Sequence, residues 1–337
     1  MGNGASVSRD DITDVPGIRV GHAQNEEAAT GVTVILTPPA GAPAGFHVGG
    51  NAPSTRQMDS LRPLHVVDRV HGVCLCGGSA FGLDASGGVL AQLEESGVGL
   101  RVVEQTIPIV PAAAIFDLNV GNGKIRPDRA MGREACALAS SGPVAQGSVG
   151  VGTGASVGKL FGIGHAMKGG VGSASVTSGD LVVAALVAVN AYGDVTDIDG
   201  NIMAGARISP SSMQFADSAA LLRDGKAKSR TVSAESTTLS VLAVNARIDK
   251  ISGSRIAAQA TIGLGRVIRP FHSHIDGDLT IILSVGSEQA DHNRIALLAQ
   301  EVLQRAVLKA IREADGLGLL PAWKDLGKSL NTGPLRT

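Results

Sequence analysis

Aromatic side chains are nearly absent from this chain of 337 residues, where one Trp, one Tyr and six Phe make up 2%. Stacking platforms for nucleic-acid bases are correspondingly few, and a core must be assembled from Val, Ala, Leu and Ile. Charge is scarce as well. Asp, Glu, Lys and Arg together reach 18% and cancel almost completely to a net −1, which leaves no field to draw nucleic acid or an anionic membrane. The three cysteines, Cys74, Cys76 and Cys136, are an odd number without zinc-ligand spacing. They suit small buried side chains in a reducing compartment, so a cytoplasmic location is expected. No run approaches 18 consecutive apolar residues, the length a membrane-spanning helix needs. Residues 1–13 lack the apolar stretch of a secretory signal, although Met1–Ser6 (MGNGAS) matches an N-myristoylation pattern.

What is abundant is glycine, at 45 residues, within a chain that is 44% hydrophobic. Small and aliphatic residues in this proportion favour layers whose backbones approach closely, and the length suits one α/β domain with a large core. Strand patterns occur at Ile18–Val20, Gly31–Leu36 and Val70–Cys76, with Cys74 and Cys76 on one strand face. They recur at the continuous apolar run Leu181–Asn190, at Thr237–Asn245 and at Leu279–Val285. Helical periodicity covers Gly82–Glu95, Asp128–Ser140, Ser252–Leu264 and a long amphipathic stretch from Ala290 to about Ala314. A polar loop spans 208–236, with a short helix expected at Ser218–Leu222. No internal repeat and no clean linker divide the chain.

Four places carry chemistry. The basic, serine-rich end of the polar loop runs directly into the strand that Thr237 opens. A threonine there can attack the preceding carbonyl, cut the chain between Ser236 and Thr237, and then use its freed amine as a base. An ordinary strand rich in β-branched residues accounts for the same stretch. The glycine-rich segment Gly152–Lys159 (GTGASVGK) fails as a phosphate loop, because Thr153 and Leu160 stand where Gly and Ser or Thr are needed. Lys159 can instead approach a nucleophile and lower its pKa, or simply sit on a surface turn. Asp276 and Asp278, two residues apart around Gly277, can orient a hydroxyl or hold an ammonium, or form a surface turn. His272 and His274 beside them suggest a metal site, but no third ligand cluster accompanies them. Cys76–Leu83 (CGGSAFGL) is not a G-x-S-x-G nucleophile elbow.

Taken together and in order, Ile12–His22 (ITDVPGIRVGH), Cys76–Leu83, Val110–Leu118 (VPAAAIFDL), Gly152–Lys159, Gly169–Ala174 (GGVGSA) and Asp276–Asp278 resemble the peptidase S58 (P1) family. The resemblance runs from about Ile12 to Leu308. That family of self-processing enzymes includes D/L-aminopeptidases, β-aminopeptidases and the nylon-oligomer (aminohexanoate) endohydrolase. The resemblance implies a four-layer αββα sandwich of the N-terminal-nucleophile type. It also implies autocleavage into an α chain of residues 1–236 and a β chain of residues 237–337. Thr237 falls on the family nucleophile and Asn190 on the oxyanion asparagine. Lys159, Asp276 and Asp278 fall on the residues that activate and orient the threonine in the nylon-oligomer branch. Ser236 replaces the usual Asn or Gly, and no tyrosine stands near Ile115–Asp117, which points to the threonine amidase branch.

The expected protein is a self-cleaving amidase or aminopeptidase acting on small peptides or amide oligomers, without cofactor or metal. No nucleic-acid or membrane partner is expected, and a tetramer-like homo-oligomer is. The rival readings are an acyltransferase resembling ornithine acetyltransferase and a ligand-binding member that never matures.

Overall fold

The computed structural model describes residues 8–227 and 236–326. The Met1–Ser6 pattern and residues 228–235 of the polar loop lie outside the described residues. Two five-stranded sheets dominate. The first contains β1 (Arg19–Asn25), β2 (Thr30–Leu36), β4 (Ser54–Arg56), β5 (Gly72–Cys76) and β6 (Ala112–Ala114), in the order β1-β2-β5-β6-β4. The second contains β3 (Ala44–Val48), β7 (Gly170–Ser178), β8 (Leu181–Asn190), β9 (Thr237–Ala246) and β10 (Leu279–Glu288), in the order β7-β8-β9-β10-β3. Neighbours run antiparallel except β5 with β6 and β9 with β10.

Side chains alternate across a strand, and the alternation here builds three apolar layers. Ala184, Leu186 and Ala188 of β8, with Leu239, Val241 and Ala243 of β9, face Ile35, Val73, Leu75 and Ile115 of the first sheet. The intervening residues Val183, Val187, Leu242 and Val244 face the opposite way, onto helices α3 (Lys250–Val267) and α4 (His292–Glu313). The outer face of the first sheet packs on α1 (Ala85–Glu95) and α2 (Arg129–Ala137). The order of layers is therefore α-β-β-α, as the resemblance implies.

Glycine makes this spacing possible. A Cβ on Gly172 of β7 would come within 2.0 Å of the Ala306 carbonyl of α4. Each fully buried Leu or Ile contributes about 1.5–3 kcal/mol, so Leu239, Val241 and Leu242 anchor the start of β9 firmly. Cys74, Cys76 and Cys136 all lie in the layer between the first sheet and its helices. Burial pushes the Cys74 thiol up to about 12 and Cys136 to about 11, so neither is a thiolate nucleophile near neutral pH.

Element positions follow the sequence closely, and the differences are made by caps. The Asp249 side chain accepts from Ser252 N, which starts α3 at Lys250 rather than Ser252. Asp291 accepts from Asn293 N and Arg294 N and opens α4 at His292. The expected helix Gly82–Glu95 is broken into one turn at Ser79–Gly82 and α1 proper. Strand β1 runs on to Asn25, because β2 pairs with it along its full length. Among the described residues, no helix is long and apolar enough to cross a membrane.

Candidate active site

The last residue of β8 and the first of β9 are register partners, so Asn190 stands beside Thr237. Both follow the alternation that points Ala188 and Leu239 into the space between the sheets. Thr237 is 4% exposed. Its hydroxyl donates to the Ser236 carbonyl at 2.6 Å, and the N–H of Gly277 donates to the same oxygen at 2.9 Å. The Ser236–Thr237 peptide oxygen thus carries two donors, one of them the Thr237 hydroxyl itself. Gly277 is required for that approach: a Cβ there would lie 2.6 Å from Ala52 O and 2.8 Å from Thr237 Oγ1.

Asn190 is fully buried, and its side chain is held at both ends. Its Oδ1 accepts from Lys159 Nζ at 2.7 Å and from Ser156 N at 3.0 Å. Its Nδ2 donates across the sandwich to Phe116 O at 3.2 Å. Lys159 Nζ also donates to the Asn190 carbonyl at 3.0 Å. The glycine-rich segment explains how a lysine reaches so deep. Gly158 adopts φ +71, where a Cβ would strike Ala206 N at 2.0 Å, and this turn swings Lys159 under Tyr192, whose carbonyl accepts the Lys159 N–H at 2.9 Å.

A second buried lysine lies in this wall. Lys168, 0% exposed, pairs in register with Ser156 and donates to Thr153 O at 2.6 Å. Burial pulls its ammonium down to about 7, against the opposing charge of Asp117. Burial likewise pushes the Asp117 carboxyl up to about 6, although Gly78 N and Thr30 Oγ1 donate to it. Asp117 follows directly on Phe116, so its bonds to Gly78 N and Thr30 Oγ1 hold the segment whose carbonyl receives Asn190.

The two other carboxylates are buried and differently served. Asp276 accepts from Ser273 N at 3.0 Å, Ser273 Oγ at 2.5 Å and Tyr192 N at 3.3 Å. Burial, followed by the charge of Asp278, pushes its carboxyl up to about 6. Asp278 accepts from Thr238 N at 2.7 Å through Oδ1 and meets His272 through Oδ2. A parallel bridge joins Ser236 to Asp276. The loop Gly49–Ala52 clamps the segment from outside, with Gly49 N on Asp278 O at 3.0 Å and Ala52 N on Asp276 O at 3.0 Å.

All six residues singled out from the sequence, Lys159, Asn190, Ser236, Thr237, Asp276 and Asp278, meet in this one place. His272 and His274 do not converge on a common point: one lies on Asp278 and the other against Asn51 Nδ2 at 3.1 Å. Among the described residues, no three His, Cys, Asp or Glu side chains gather as metal ligands. Sequence reasoning missed the Phe116 carbonyl, Ser156 N–H, Gly277 N–H, Ser273 and the buried Lys168 and Asp117. Backbone donors leave no mark in a sequence. Asp117 and Ser273 were visible only as members of blocks singled out for other residues.

The model of peptidase family S58 matches residues 10–319. The chain belongs to peptidase family S58. Membership makes this S58 protein a hydrolase of peptide or linear amide bonds. An uncharacterized aminopeptidase of Mycobacterium leprae is 36% identical over 93% of this chain and 92% of its own length. A 6-aminohexanoate-oligomer endohydrolase of Paenarthrobacter ureafaciens is 29% identical over 88% of this chain and 84% of its own. Among solved structures, a β-aminopeptidase of Burkholderia sp. superposes with a TM-score of 0.71 at 21% identity, covering 100% of this chain and 98% of that one. The L-aminopeptidase D-Ala-esterase/amidase of Ochrobactrum anthropi, described as a variant of the N-terminal-nucleophile hydrolase fold, gives 0.68 at 21% identity over 98% and 94%. The S58 protein therefore has that fold.

Proposed function

We propose that this S58 protein cuts itself between Ser236 and Thr237 and then hydrolyses small peptides or amide oligomers through Thr237. The observation that carries this reading is the Ser236 carbonyl, which receives the Thr237 hydroxyl and the Gly277 N–H together. In the first step Thr237 Oγ1 bonds to the Ser236 carbonyl carbon. The C–N bond breaks, the nitrogen takes up a proton, and water opens the resulting ester. The products are a Ser236 carboxylate and a Thr237 bearing both hydroxyl and α-amine. That amine, with a reference pKa near 8, serves as base when the hydroxyl attacks a substrate amide. Asn190 and Gly277 N–H supply donors for the oxyanion, Lys159 fixes Asn190, and Asp276 and Asp278 orient the new amine. Relatives named as aminopeptidase and as 6-aminohexanoate-oligomer endohydrolase support small peptides and amide oligomers as the substrate class. The reading includes a cytoplasmic homo-oligomer, testable by light scattering. Intact-mass analysis of the purified protein, followed by assay on short peptides and aminohexanoate oligomers, tests the whole reading. An uncut, inactive chain would remove it. Product appearing only with an added acyl acceptor would favour the acyltransferase instead.

Two further outcomes are expected. Gly277→Ala places a methyl against Thr237 Oγ1 and displaces the N–H from the scissile carbonyl. Uncut precursor should accumulate, with cleavage slowed about 100-fold, the scale of losing one oxyanion donor. Electrophoresis over time measures it, and wild-type processing in this variant would discount the Gly277 donor. The second outcome concerns pH. With its carboxyl raised to about 6, Asp276 is protonated below that value and loses the charge that holds an amine. Activity should therefore fall as pH drops through about 6, and Asp276→Asn should abolish that limb while lowering the plateau. A kcat/KM profile with an unchanged acid limb in the variant would assign the limb elsewhere.

A further inference from the structure

His272 is a group this mechanism does not use, yet the fold goes to some length to seat it. Its backbone is left-handed, with φ +54, a conformation that non-glycine residues rarely adopt. That conformation aims two nitrogens of one residue at one oxygen: His272 N lies 3.2 Å and His272 Nδ1 3.0 Å from Asp278 Oδ2. The ring stacks on Phe271 at 3.9 Å between centroids. It also fills the space a Cβ on Gly49 would occupy, 2.1 Å from ring atoms. Its Nε2 is enclosed and has no hydrogen-bond partner among the described residues. The other oxygen of Asp278 receives the N–H of Thr238, the residue after the nucleophile.

We infer that His272 is a positioning residue: its ring and backbone N–H together fix the Asp278 carboxylate, and through it the first turn of the nucleophile strand. The inference rests on Thr237 being the nucleophile. Two carboxylates this close do not ionise independently, and the donors around each decide which one holds the charge. Asp278 is served by His272 and Thr238, and its charge is one of the causes that raise the Asp276 carboxyl. His272 thereby holds Asp278 as the anchor of the strand, while Asp276 is held separately by Ser273 and Tyr192 N. The other titratable group facing the ring is His47 of β3, with ring centroids 6.3 Å apart.

The test compares His272→Phe with His272→Asn in the full-length protein. Phe keeps the stack on Phe271 without a donor. Asn tolerates the left-handed backbone and returns an amide donor toward Asp278. Four quantities are read: the fraction cut, kcat and KM on an amide substrate, the acid limb of the pH profile, and the thermal midpoint. His272→Phe should slow self-cleavage and lower kcat about 10- to 100-fold, the scale of a misplaced catalytic group, with KM within about twofold. Its acid limb should move upward, because a carboxylate pair stripped of a donor holds its proton more tightly. His272→Asn should recover to within about threefold of wild type. Wild-type cleavage and kcat in His272→Phe would overturn the inference. So would an equal loss in both variants that tracks a fallen thermal midpoint, the mark of a merely structural role. If His272→Phe does not fold, an unrecovered kcat in a stable His272→Asn overturns it alone. An uncut wild type would overturn the Thr237 reading as well, whereas a cut wild type with indifferent variants would overturn only this one.

Discussion

Thr237→Ala should purify as one uncut chain beside a wild type that splits into two fragments meeting at Ser236 and Thr237. The substitution removes both reactive groups at once. Without the hydroxyl there is nothing to attack the Ser236 carbonyl, and without cleavage there is no α-amine to act as base. Amide hydrolysis should fall about 10⁴-fold or more, the scale seen when a nucleophile is deleted from a covalent mechanism. Thr238 cannot stand in for it, because side chains alternate along a strand. Leu239 and Val241 share the inward face with Thr237, whereas Thr238 points with Leu242 and Val244 toward the helices. Thr237→Ser is the matching control, and it should still cut, since the hydroxyl is retained. Intact mass decides the first point and a substrate assay the second. A Thr237→Ala chain that still cleaves at this bond would place the nucleophile elsewhere.

The state before cleavage also carries a local cost. Seven buried side-chain polar atoms have no hydrogen-bond partner among the described residues, and four of them belong to residues that touch this site. They are Tyr192 OH, Ser236 Oγ, Thr238 Oγ1 and His272 Nε2. Each such group costs about 1–3 kcal/mol.

Asn190→Ala should have the second-largest effect. The side chain supplies the only side-chain amide donor to the oxyanion in the proposed mechanism, and losing such a donor costs about 10²–10³ in rate. It also accepts from Lys159 Nζ and Ser156 N, so its removal leaves a buried ammonium and a buried N–H short of an acceptor. A destabilisation of about 1–3 kcal/mol is expected from that loss. Asn190→Asp separates the two effects. A carboxylate offers Lys159 and Ser156 an acceptor but has no N–H to give. Its thermal midpoint should therefore fall less than that of Asn190→Ala, since only the Phe116 carbonyl loses its donor, while its rate falls with that of Asn190→Ala. Equal rates in wild type and Asn190→Asp would show that the amide N–H is not needed.

Much of this could be seen in the order of residues. The apolar run Leu181–Asn190 is β8 residue for residue, because a strand covered on both faces needs apolar side chains at every position. Amphipathic stripes gave the long helices to within a few residues, and the capping aspartates Asp249 and Asp291 set where they start. The spacing of Asp276 and Asp278 about Gly277 followed from strand periodicity, and the ordered family blocks pointed to Thr237. Those signals are local, each contained in one element or one short block of sequence. The tertiary structure alone decided what the local pieces meet. Residues 116, 159, 190, 237 and 277 come together because sheet register sets Asn190 opposite Thr237 and sandwich packing brings the segment after β6 to Asn190. Register and packing are settled by the summed burial of the whole core rather than by any short pattern. For the same reason His272, which looked in the sequence like half of a metal site, is paired in the structure with Asp278.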